Sequence, residues 1–180
     1  MNLRRRWLYT GAGAFALLLA GLPAQAKKPS MSSLVAHGRY MAVVGGCNDC
    51  HTTGYAQSGG RLAQKKWLTG SVLGWHGPWG TTYPPNLRLF MQTMTLRQWI
   101  HFARTARLRP PMPYWSLRTM STRDLTALYA FIRYLGPSGK PAPAYLPPGK
   151  TPKGPYVTRV IPSKAARAGA SQSNAGNAGH

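Results

Sequence analysis

Cys47-Asn48-Asp49-Cys50-His51 is the stretch on which the reading of this 180-residue chain turns. Two thiols three residues apart, followed at once by an imidazole, gather three metal- or carbon-reactive donors within about one helical turn. Cys47 and Cys50 are the only cysteines present. A thioredoxin-like redox pair needs a strand-helix-strand setting, and a disulfide needs only the two thiols; neither gives His51 a reason to follow Cys50 directly. Zinc asks for four ligands of Cys and His type, and the cysteine count falls short.

The order Cys-x-x-Cys-His matches covalent haem attachment, in which both thiols add to the vinyl groups of the macrocycle and the adjacent imidazole ligates iron. Cys47 and Cys50 are therefore the expected attachment points of one haem c, and His51 its first axial ligand.

Upstream, Arg4-Arg5-Arg6 precedes an apolar run from Ala14 to Leu22 that closes on Ala24-Gln25-Ala26. A basic start, an apolar centre and a small-x-small end describe a secretory leader, and cleavage is expected after Ala26. The apolar run falls well short of the roughly 20 residues of a spanning helix. Three arginines in a row have a faint twin-arginine look, but the general secretory route is favoured, because haem is attached after unfolded export. A periplasmic location follows as the expectation.

Charge sets a second bound. The chain has 23 Lys and Arg against 2 Asp and Glu, a net charge of +21, and losing Arg4, Arg5 and Arg6 with the leader leaves +18. Such a field favours acidic redox partners (a dehydrogenase, an oxidase or another cytochrome) and peripheral association with an anionic membrane surface. Nucleic acid is not expected, since the basic residues are scattered and no groove-reading motif accompanies them. With only Asp49 and Asp124 as carboxylates, two-carboxylate glycoside chemistry and calcium loops are excluded.

Three helices are expected. Leu34, Gly38, Met41 and Gly45 recur at helical spacing between Ser32 and Gly46, with Gly38 placed to let another helix approach closely. Thr95 caps a second, with Leu96, Trp99, Ile100 and Ala103 on its apolar face and Arg97, His101 and Arg104 turned away. Ser121-Thr122-Arg123-Asp124 opens a third, carrying Leu125, Leu128, Tyr129, Ile132 and Leu135 and stopped by Gly136-Pro137. Asp124 is thus a structural acid in a first helical turn.

Between His51 and the second helix, about forty residues rich in Gly, Pro, Thr and Trp show no sustained period and read as a long irregular loop, which a buried prosthetic group would organise. The tryptophans at 67, 75, 79, 99 and 115, with Tyr83, offer aromatic walls for it. The domain boundaries are 1–26 for the leader, 31–136 for the core domain, 137–163 for a proline-rich extended arm and 164–180 for a disordered low-complexity tail.

For the other side of the iron, Met112 stands in Arg109-Pro110-Pro111-Met112-Pro113, where prolines restrain a flexible thioether. Met41, Met91, Met94 and Met120 adjoin the helices and read as packing. His76, in the irregular loop, is the alternative axial ligand; His37 and His101 read as solvated or structural.

These segments together resemble the class I cytochrome c family between Gly38 and Leu135. The resemblance is carried by Gly38-Arg39-Tyr40, Gly45 to Thr52, Tyr83-Pro84-Pro85-Asn86-Leu87, Pro110 to Tyr114 and Met120 to Leu125, in the family's order, and it is strongest to small bacterial mono-haem cytochromes and the cytochrome subunits of dehydrogenases. It implies an all-α domain of about three main helices and long loops around one haem, with Cys47 and Cys50 as thioether attachments and His51 and Met112 as axial iron ligands. It implies an electron carrier, not an enzyme, working as a monomer or as a subunit of a complex. The alternative is a haem enzyme or gas sensor with an open sixth position. Where relatives continue Asn-Leu with Thr-Pro-Asp, this chain has Arg88, and the segment up to Thr95 is shortened.

Overall fold

The structure, a computed structural model, describes residues 29–158. The expected leader with its cleavage site, the last residues of the arm and the tail lie outside the described residues.

The three helices of ten or more residues start where their caps stand. Ser30 accepts from the Ser33 amide and opens α1, Met31–Val44. A reciprocal Thr95/Gln98 capping box opens α4, Leu96–Thr105, and a Ser121/Asp124 box opens α6, Thr122–Leu135. Each box satisfies amides that the first turn leaves without partners. Gly136, at a φ of 67°, ends α6 as expected. Three short helices lack a periodic signature: α2, Cys47–His51; α3, Leu87–Phe90; and α5, Tyr114–Thr119. Among the described residues no helix is long and apolar enough to cross a membrane.

The most extensive helix contact joins α1 to α6, and Gly38 makes it. A Cβ at that position would lie 1.9 Å from the Ala127 carbonyl oxygen and 2.6 Å from the Phe131 Cβ, so only glycine lets the backbones meet. On another side of α6, α4 is pinned by Trp99, whose indole N–H donates to the Leu125 carbonyl at 2.9 Å. Leu68, Met91, Leu125, Leu128 and Phe131 are fully buried between these elements.

The fold is mostly helical, but the all-α expectation is corrected. The stretch expected to be irregular contains β1, Gly74–Gly77, and β2, Gly80–Thr82, an antiparallel hairpin turning at Pro78-Trp79. The arm adds β3, Tyr156–Thr158, parallel to β1, giving the order β2-β1-β3. Strands of three and four residues are too short for an alternating pattern to register in the sequence. The pairing of β3 with β1 depends on the returning arm.

That arm packs back on the domain. The Asn86 amide donates to the Ser138 and Lys140 carbonyls at 2.7 and 3.2 Å, and the Tyr145 hydroxyl donates to the Trp79 carbonyl at 2.8 Å. Thr81 and Leu146 exchange backbone hydrogen bonds of 2.8 and 3.1 Å. Gly80 lies under this crossing with a φ of 94°, and a Cβ there would sit 2.1 Å from the Leu146 carbonyl oxygen.

Candidate functional site

Gly45 and Gly46 separate α1 from α2, so the motif begins a new helix directly after the one packed on α6. Cys47 and Cys50 stand about one turn apart on α2 as free, partly buried thiols, and His51 closes the helix. The polar residues between them act inward. Asn48 is fully buried, and its carbonyl accepts from the Thr52 hydroxyl at 2.7 Å, while that hydroxyl accepts from the Leu68 amide at 2.7 Å. This chain ties α2 to the segment around Leu68.

His51 is only 6% exposed. Its Nδ1 lies 2.8 Å from the Pro85 carbonyl oxygen. A carbonyl only accepts, so Nδ1 carries the proton and Nε2 keeps its lone pair. Among the described residues Nε2 has no hydrogen-bond partner. The Pro85 carbonyl is held in place from both sides: Ser71 donates to the Pro84 carbonyl at 3.1 Å, Leu87 to the Leu68 carbonyl at 3.0 Å, and Gly70 to the His51 carbonyl at 2.8 Å. Asn86 then caps α3 by accepting from the Arg88 and Leu89 amides.

Burial lowers the pKa of His51 and so favours the neutral imidazole, with the Pro85 hydrogen bond acting in the opposite direction. Burial pushes the Cys47 thiol up to about 11, and burial together with the Asp49 charge raises that of Cys50. A reactive dithiol needs the opposite shift, toward thiolate at neutral pH.

Met112 stands in the loop between α4 and α5, partly buried against the same core that receives Cys47. Its carbonyl accepts from the Tyr114 amide at 2.9 Å, and its amide donates to the Arg109 carbonyl at 3.3 Å. The Arg109 guanidinium in turn lies 3.8 Å over the Tyr145 ring of the arm. Met120 also reaches the motif: a Cβ added at Gly45 would lie 3.3 Å from the Met120 Cε and 3.8 Å from the Cys47 Sγ. Met91 is fully buried, and Met41, Met94 and Met120 pack against the core.

His76 sits elsewhere, on β1, with Nδ1 2.8 Å from the Thr81 hydroxyl and its ring 5.5 Å from that of Tyr156. His37 bridges α1 and α6, with Nε2 2.7 Å from Asp124 Oδ1, and His101 is exposed on α4. Of the expected aromatic walls, Trp67 and Trp99 belong to the helical core, whereas Trp115 is exposed. The partner that orients His51 was not foreseen as one. Tyr83-Pro84-Pro85-Asn86 stands out in the sequence, but a backbone carbonyl carries no residue-type signal.

The donor set fits a covalently attached haem. It has two neutral thiols a turn apart and an imidazole oriented by a carbonyl with its second nitrogen open. Metal-bound histidines are commonly oriented in this way through the other ring nitrogen. Among the described residues no three His, Cys, Asp or Glu side chains converge into a metal cluster. No protein-family model, curated protein or solved structure matches the chain.

Proposed function

We propose that this chain is an exported mono-haem c-type cytochrome that carries single electrons between periplasmic or membrane redox partners, with a cytochrome c-like helical domain built around the haem. The observation that carries the reading is the buried His51, neutral and held by the Pro85 carbonyl with Nε2 left open, one residue after a Cys-x-x-Cys pair. When bound, the haem supplies one-electron Fe(III)/Fe(II) chemistry.

The residues divide the work. Cys47 and Cys50 would hold the macrocycle covalently, and His51 and Met112, the latter from its proline-flanked loop and with His76 as the alternative, would ligate its iron. The Pro85 carbonyl fixes the orientation of the His51 imidazole, and the Asn48-Thr52-Leu68 hydrogen bonds hold α2 against the segment around Leu68. Lys and Arg side chains supply the field that draws an acidic partner, and the chain acts as a carrier, not as an enzyme.

Expression of the full chain with haem-maturation machinery, followed by oxidised and reduced spectra, tests this. The expected result is haem that survives acid-acetone extraction, a low-spin reduced α band, and a weak near-infrared band of methionine-to-ferric-iron ligation that Met112→Ala abolishes. High-spin spectra with ready carbon monoxide binding would instead indicate an open sixth position, and extractable haem would refute the attachment role of Cys47 and Cys50.

A further inference from the structure

Along α1, Ala36, Tyr40 and Val43 repeat at i, i+4 and i+7 and are all exposed. Val44 flanks them; Tyr40 is 58% exposed and Val44 56%. This apolar stripe lies opposite the buried Gly38 and Ala42, so it is not the face that builds the core. Its borders are basic. On one side Arg39 donates to Gln64 at 3.0 Å and stacks over Trp67, which brings the exposed Lys65 and Lys66 beside it. On the other, the His37 to Asp124 bridge places the exposed Arg123 next to α1. Of the two acids, Asp124 is engaged by His37 and Ser121, and Asp49 stands beyond the stripe on α2.

An apolar, charge-poor centre inside a charged rim is the anatomy of a protein-protein contact. A second copy of the exported chain would bring the same net charge of +18 against that rim, which disfavours self-association. We infer that the outer face of α1, centred on Tyr40, Val43 and Val44, is the docking surface for an acidic partner protein, with Arg39, Lys65, Lys66 and Arg123 steering the encounter. The inference rests on the electron-carrier reading and gives that reading its contact face.

The test uses the full-length, haem-loaded and reduced protein in stopped flow against an acidic blue-copper protein in its Cu(II) form. One electron passes, Fe(II) becoming Fe(III) and Cu(II) becoming Cu(I), and no bond or proton moves. Lys65→Glu with Lys66→Glu should lower the second-order rate at low salt by about tenfold or more, while Lys150→Glu with Lys153→Glu, an equal charge change on the exposed arm, should change it by less than about twofold. Tyr40→Ser with Val43→Ser should lower the rate several-fold and leave its salt dependence unaltered. Equal losses for the two lysine pairs would mean a diffuse field and overturn the docking face. So would unchanged rates accompanied by loss of binding to phosphatidylglycerol vesicles in the Lys65/Lys66 variant, which would assign the face to a lipid surface. Oxidation by hexacyanoferrate(III) separates the two levels: a wild-type protein that it fails to oxidise removes the carrier reading itself.

Discussion

Arg88 donates through Nε to the carbonyl of Gly136, the residue that closes α6, at 2.6 Å. Its other nitrogens donate to the Leu135 carbonyl and, at 2.8 Å, to the Lys65 carbonyl. The guanidinium is buried, and burial lowers its pKa. No carboxylate neutralises it. Helix C-termini carry partial negative charge on unpaired carbonyls, and in a chain with only two acids these ends serve as counter-charges. Arg118 does the same for α4, donating to the Thr105 and Ala106 carbonyls at 3.2 and 2.8 Å, and Arg104 donates to the Arg118 carbonyl at the end of α5. Arg88 is therefore a helix cap that joins three segments.

Replacing Arg88 with Met should destabilise the fold by about 3 kcal/mol, because charge-assisted hydrogen bonds contribute roughly 1.5–3 kcal/mol each and the exposed carbonyls recover water only in part. Arg88→Lys should rescue little, since one ammonium cannot reach three carbonyls in a fork. Urea denaturation followed by circular dichroism reads both; unchanged midpoints would show that the cap is dispensable.

Gly38→Ala sets two effects against each other. Alanine gains about 1 kcal/mol of helix propensity, but its Cβ meets a backbone oxygen at 1.9 Å, and prying packed helices apart costs typically 1–3 kcal/mol or more. The clash is with backbone and has no flexible end to yield, so net destabilisation is expected, growing further in Gly38→Val. A more stable Gly38→Ala protein would mean that α1 does not cross α6 at this point.

Asp124 gives the stability a pH dependence of known sign. Hydrogen bonds from Ser121, then from His37, lower its pKa in the folded state. A depressed carboxyl contributes stability that is fully present above its unfolded value of about 3.9 and is lost as pH falls through the folded one. Asp124→Asn should therefore lower stability near neutrality by about 0.5–2 kcal/mol, as a weakened helix cap does, and the two proteins should converge at the acid end. Parallel stability curves from pH 7 to the acid limit would count against the assignment.

Met120 and Met112 are separable by spectroscopy. Both are partly buried against the core, and truncating either should cost stability, about 1–3 kcal/mol for a partly buried methionine. In the haem-loaded protein Met112→Ala should lose the near-infrared methionine-to-iron band, whereas Met120→Ala should keep it. The reverse pattern would move the ligand assignment to Met120, which already lies beside Cys47.

The second and third long helices were readable because each joins a capping residue to a run of apolar positions at helical spacing, and the structure starts α4 and α6 after Thr95 and Ser121; the first was read from spacing alone, and its cap is Ser30. Gly38 was readable as a close-approach site for the same reason: it interrupts an apolar face where a larger side chain would be expected. The hairpin at Gly74–Thr82 was not, because its strands are held by a turn and by the arm and have no alternating apolar face of their own.

Residue types and their spacing alone determined the motif at Cys47–His51, the caps, the apolar faces of the main helices and the excess of positive charge. Tertiary structure alone decided which carbonyl orients His51, where the Arg88 and Arg118 charges find their counter-charges, and that residues 156–158 pair with 74–76. The physical reason is common to all three: they are bonds to backbone groups, which every residue carries alike, so which groups meet is set by how the chain is brought together and leaves no mark on the identity of the residues that supply them.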